Sequence, residues 1–211
     1  MTTGEAAAET PRTRRRPRGD VRASLIAAGI ELARTGGPDA VVLREATRAV
    51  GVVPNAAYRH FADRGELLAA VCTAAMTELG DRMAAATANV RGKHGDPIAA
   101  QRRLGAIGKA YLKFAHEEPG LFATAFALPE QHAYNESSDR FPLGQLRAVL
   151  DELVDAAVLD PQRRVGIEYP IWSAVHGTAV LAVQGPLRQA PDAELRQIEE
   201  RTLTFIRNSL G

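Results

Sequence analysis

The stretch Leu43-Arg44-Glu45-Ala46-Thr47-Arg48-Ala49-Val50-Gly51-Val52-Val53-Pro54-Asn55-Ala56-Ala57-Tyr58-Arg59-His60-Phe61 decides how the chain is read. Two short helical runs flank a glycine. The first covers roughly Val41 to Val50, with Asp39 placed to cap it. Gly51 then breaks the pattern and can supply the positive φ that a tight turn needs. Pro54 opens the second run, which reaches about Phe61. Proline suits a first helical position, where its missing N–H would have no partner. The pair reads as a helix-turn-helix held together by Leu43, Ala46, Val50 and Val52. Its second helix projects Asn55, Ala56 and Arg59 outward.

Upstream, Val21, Leu25, Ala28 and Leu32 recur at helical spacing and form one apolar face. Asp20 is placed to cap this first helix, and Gly36-Gly37-Pro38 to stop it. Before it, residues 1–18 read as a disordered arm, with Pro11 and Pro17 bracketing Arg12-Thr13-Arg14-Arg15-Arg16. Residues 1–62 hold ten arginines against six acids, and the remainder 16 Lys and Arg against 19 acids. A basic head on a mildly acidic body points to a polyanion as the head's partner.

Downstream, Asp63-Arg64-Gly65-Glu66 has capping-box spacing and opens a longer helix reaching towards Val90. Asp96-Pro97 launches another, which closes at Glu118-Pro119-Gly120. A short apolar segment spans Leu121 to Leu128, and residues 130–140 read as a loop. Three more helices are expected at about 142–159, 161–184 and 192–209. No alternating strand pattern and no internal repeat occurs. The expected class is all-α with about nine helices: a basic arm at 1–18, a helix-turn-helix head at 19–66 and a helical body at 67–211.

Composition narrows the function. The 211 residues are 45% hydrophobic and 24% charged, which is ordinary globular composition with chain enough for a real core. Cys72 is the only cysteine, which excludes a disulfide-stapled scaffold. No apolar run is long enough to span a bilayer, and no hydrophobic signal core opens the chain, so the cytoplasm is the expected compartment. His94, His116, His132 and His176 show no ligand pair such as HExxH, and no Gly-x-Ser-x-Gly elbow occurs. Neither metal, cofactor nor catalysis is expected.

Ala57-Tyr58-Arg59-His60-Phe61, followed by Arg64, Glu66 and Leu67-Leu68, closely resembles the signature of the TetR family of bacterial transcriptional repressors. The match covers about residues 19–68. Trp172-Ser173-Ala174-Val175-His176-Gly177 resembles the Trp…His-Gly (WHG) element of one C-terminal subgroup. The resemblance implies phosphate contacts from Tyr58, His60 and Arg64 on double-stranded DNA. It implies base reading by Asn55, Ala56 and Arg59, with Arg44 on the preceding helix beside them. Arginine can bond guanine bidentately, asparagine adenine, and a small alanine admits a thymine methyl. Arg14, Arg15 and Arg16 could follow a backbone or enter a minor groove, or form only a solvated tail.

For the body, the resemblance implies a cavity for a small apolar or amphipathic effector. Met76, Tyr111, Phe114, His116, Phe122, Phe126, Trp172 and His176 are the candidate lining, against a plain reading as core. It also implies a homodimer paired through the helices at about 161–184 and 192–209, reading a pseudo-palindromic operator. Residues 171–183 are apolar almost all round and need cover on every side, whether from a partner or from a monomeric core. Val42 and Val53 depart from the family, which often has Ser or Thr there as caps and phosphate contacts. That departure keeps a second reading open: a ligand-binding or protein-interaction module with weak or lost operator binding.

Overall fold

A computed structural model describes residues 18–128 and 139–210, and every α-helical or 3-10 element among them is joined by turns, with no strand. Arg14, Arg15, Arg16 and most of the loop expected at 130–140 lie outside the described residues. Nine α-helices are present in what is described, as the periodicity requires.

Helix α1 (Arg18–Ala40) begins ahead of Asp20, earlier than its pattern suggested, so that residue lies within the first turn. At Gly37 the backbone leaves helical geometry (φ 67°, ψ −163°), and one more turn follows the break. Helix α2 (Leu43–Val50) starts two residues later than its pattern suggested. Its N-cap position is Val42, which offers no side-chain acceptor. Asp39, the expected substitute, is too far back to reach the first amides of α2 and sits 3.7 Å from Arg64 instead. Helix α3 (Pro54–Ala57) is a single turn. The expected continuation to Phe61 closes in tighter turns, with the amides of His60 and Phe61 both donating to the Ala57 carbonyl at 2.8 and 3.0 Å.

Helix α4 (Arg64–Ala88) opens on the expected box. The Asp63 carboxylate accepts from the Glu66 amide at 2.9 Å, and Glu66 accepts from the Ala62 amide at 2.7 Å. Such a cap is worth about 1 kcal/mol. Asp96 caps α5 (Pro97–Glu117) by accepting from the Ala99 amide at 2.7 Å. Helices α6 (Pro119–Ala125) and α7 (Pro142–Asp155) follow.

The helix expected from 161 is shorter than its apolar pattern implied. Pro161–Arg163 is a separate 3-10 turn, and α8 spans Glu168–Val183. Arg163, at the end of that turn, donates to the carbonyls of Ser209 and Leu210, and Arg164, just after it, to Asp151 at 2.6 Å and to Glu168 at the start of α8 at 3.1 Å. Helix α9 (Asp192–Asn208) completes the chain.

Helix α1 packs on α4 and α6, α4 on α5, and α5 on α7, α8 and α9. One apolar core runs from Leu25, Ala57 and Phe61 in the head through Leu67 and Val71 to Leu150 and Ile206. The head therefore borrows the first turns of α4 as its floor, and α4 passes through the boundary expected at 66/67. Among the described residues, no helix is long and apolar enough to cross a membrane.

Candidate nucleic-acid interface and interior cavity

The head builds an outward face from inward anchors. Leu43, Ala46 and Thr47 of α2 are buried, and Gly51 turns the chain at φ 72°, ψ 30°. Beyond the turn, Ala57 and Phe61 are buried against the core. Their burial fixes the one-turn helix and directs its other side chains to solvent. Asn55, Tyr58 and Arg59 are exposed, as is Arg44 on α2, while Ala56 and His60 are half-buried. The residues named as base readers, together with Tyr58 and His60, thus keep access to solvent around the buried Ala57 and Phe61.

Arg64 is placed differently. Its guanidinium donates to the carbonyls of Val41 at 2.9 Å and Pro38 at 2.7 Å, so it braces the connection between α1 and α2. Arg22 was not anticipated. Its guanidinium lies 5.0 Å from the centroid of the Phe61 ring and adds a cation beside the same segment. No periodicity signals such a pairing, because it joins α1 to a residue 39 positions later. Val53, 69% exposed, and Val42, 37% exposed, bring apolar side chains to the starts of α3 and α2.

In the body, Tyr111, Phe122, Phe126, Trp172 and His176 converge as one aromatic cluster. Tyr111 meets Phe122 and Trp172 edge-on with centroids 5.7 and 5.4 Å apart. Trp172 and His176, one turn apart on α8, stack at 6.1 Å with 22° between their planes. The Tyr111 hydroxyl stands 2.8 Å from Nδ1 of His176. Burial raises the Tyr111 pKa well above its ordinary value and lowers that of His176. Both directions favour a phenol that donates to a neutral imidazole, which leaves the ring proton on Nε2.

Beside this cluster lies a cavity of about 460 Å³ between α5, α8 and α9, with Met83 of α4 and Leu146 of α7 also lining it. Of the eight candidate lining residues, Tyr111 and Trp172 reach it. Phe122, Phe126 and His176 back that wall through the aromatic cluster, and Met76 is buried core. Phe114 is buried under the Arg82 guanidinium, 4.9 Å from its ring centroid, and His116 is exposed. Leu104, Ile107, Val175, Leu203 and Ile206 form most of the apolar wall and were not singled out. In sequence they are ordinary helix-face residues. What distinguishes them is the open space beside Gly105, where an added Cβ would meet nothing within 4 Å.

Comparison with known proteins places both regions. Residues 25–71 match the family model described as bacterial regulatory proteins, tetR family. Residues 104–205 match the model described as tetracyclin repressor-like, C-terminal domain. No curated protein matches the chain. Among solved structures, a protein of unknown function from Rhodococcus sp. RHA1 is 24% identical, with a TM-score of 0.70, covering 90% of this chain and 95% of that one. RolR in complex with resorcinol is 17% identical, with a TM-score of 0.67, covering 92% and 89%. A putative tetR family transcription regulator from Shewanella sp. PV-4 is 13% identical, with a TM-score of 0.64, covering 90% and 97%. These structures share the fold.

Proposed function

The chain belongs to the TetR family of bacterial regulatory proteins and is a DNA-binding transcriptional regulator with a ligand-binding body, and from that premise we propose that it is a homodimeric repressor. A small apolar or amphipathic effector releases it from a palindromic operator, and the cytoplasm is where it works. The observation that carries the reading is the outward face of Asn55, Tyr58 and Arg59 held in place by the buried Ala57 and Phe61. Two such faces, related by two-fold symmetry, suit half-sites about one helical turn apart in successive major grooves.

Pairing through α8 and α9 is supported by apolar surface that one chain leaves open. Leu181 on α8 is 44% exposed and Phe205 on α9 is 67% exposed, and Gly177 has space for close approach. An effector acts by preferring a conformation that mis-spaces the two heads. The RolR structure, a complex with the ligand resorcinol, agrees with a small-molecule effector. Trp172 and His176 serve that body as packed groups, and the WHG subgroup reading rests on them.

The test is fluorescence anisotropy with a fragment of the DNA upstream of the protein's own gene. Saturable binding that Arg59→Ala weakens supports the repressor. Removal of residues 1–18 should weaken binding to all sequences and flatten its salt dependence. An intact dimer with no preference for that fragment would favour the second reading, an interaction module with operator binding lost at Val42 and Val53.

A further inference from the structure

The cavity between α5, α8 and α9 has walls and a rim of different character. Leu104, Ile107, Trp172, Val175, Leu203 and Ile206 make the walls apolar. Its charged lining residues are all cations: Arg102 and Lys109, two turns apart on α5, and Arg207 on α9. All three are exposed, and no carboxylate lines the cavity. Elsewhere on this surface arginines pair with acids, as Arg82 does with Glu78 and Glu117. Among the described residues, Arg102 and Lys109 make no such pair, and Arg207 reaches only the Thr204 hydroxyl at 3.2 Å. Like charges gathered without counter-charge repel, and an anion at the rim relieves that repulsion. Phe205, the exposed apolar residue of α9, does not line the cavity.

We infer that this cavity takes an amphipathic monoanion, its hydrophobic body among the six wall residues and its acidic head between Arg102, Lys109 and Arg207. A volume of about 460 Å³ lies within the range of small-molecule sites and limits the body to a medium-length chain or a small ring system. The inference rests on the reading of the body as an effector domain and fixes the sign of the effector's charge. Salt weakens the head contact while leaving the apolar contact in place.

The experiment is calorimetric titration of the full chain with decanoate, decanol and decyltrimethylammonium, each at low and high salt. Decanoate should bind at least about tenfold tighter than the other two, as charge-assisted contacts require. Rising salt should shrink that margin. Two variants locate the site. Gly105→Leu places a side chain in the open space and should abolish binding. The triple variant Arg102→Gln, Lys109→Gln, Arg207→Gln alters only exposed groups and should erase the preference for the anion without lowering the melting temperature. Equal or tighter binding of the cation overturns the inference. So does an anion preference that survives the triple variant, or decanoate binding that survives Gly105→Leu in a chain with an unchanged melting curve. Operator binding, followed on the same samples, separates the two readings. Decanoate that binds at the rim without moving the operator affinity supports the anion site and removes the release mechanism. Release by the cation alone does the reverse.

Discussion

A Cβ added to Gly120 would stand 2.3 Å from the carbonyl oxygen of Ala33, so the first turn of α6 rests directly on the backbone of α1. Charges lock the same corner. Arg34 of α1 pairs with Glu78 of α4 at 2.9 Å and with Glu118 at the α5–α6 junction, and Arg82 joins both acids from the other side. Helix α1 also floors the helix-turn-helix. The corner where α6 meets α1 is therefore close-packed, with little slack between the two backbones.

Gly120→Val should destabilise the chain by about 1–3 kcal/mol, because the opposing atoms are backbone and cannot rotate away. Gly105→Ala provides the contrast: it lies inside α5 with open space beside it. It should stabilise by about 0.5–1 kcal/mol through reduced freedom of the unfolded chain. Urea denaturation of both variants checks the pair, and a Gly120→Val midpoint at or above wild type would show that α6 does not bear on α1.

Arg59 and Arg64 should separate on substitution. Arg59→Ala removes an exposed fork and should cost about 1–3 kcal/mol of operator affinity, with relaxed specificity at one position per half-site. Its melting temperature should stay at the wild-type value. Arg64→Ala takes the brace off the Pro38 and Val41 carbonyls and should lower the melting temperature as well. Anisotropy on a panel of mutated operators, with thermal melts of the same proteins, distinguishes the two effects.

The single tryptophan reports on His176. Burial favours the neutral imidazole, so the folded pKa lies below the ordinary value of about 6.5. The group's contribution to stability is thus complete above that ordinary value and is lost as pH falls through the lowered folded value. Trp172 fluorescence should drop on acidification with a midpoint below 6.5, since a protonated ring stacked on the indole quenches it. The transition should vanish in His176→Gln. In Tyr111→Phe the midpoint should move up, because the phenol bond that favours neutral Nδ1 is gone.

Phe205→Glu tests the proposed pairing face. A carboxylate at a site 67% exposed in the single chain costs little in an isolated protomer. Buried unpaired between two protomers, it is expensive. Sedimentation should show a folded monomer for Phe205→Glu and a dimer for wild type, and operator affinity should fall with the loss of the second head. A dimer that persists in the variant would move the pairing face elsewhere.

Local signals in the sequence determined the all-α class, the Asp63–Glu66 box, the cap at Asp96, the turn at Gly51 and the outward placement of Asn55 and Arg59, while Ala56, expected beside them, is half-buried. Each depends on groups within a few residues of one another, so spacing alone carries it. The shortness of α3, the late start of α8 and the failure of Asp39 to cap α2 were decided by tertiary partners. Arg64 claims the loop carbonyls beside Asp39, and Arg163 and Arg164 reach to α9 and α7. The cavity was hidden for the same reason. Its walls come from five helices, its cations from two, and its open space from Gly105. Hydrophobic periodicity says which face of a helix turns inward, but not whether the opposing helix fills the gap or leaves it empty.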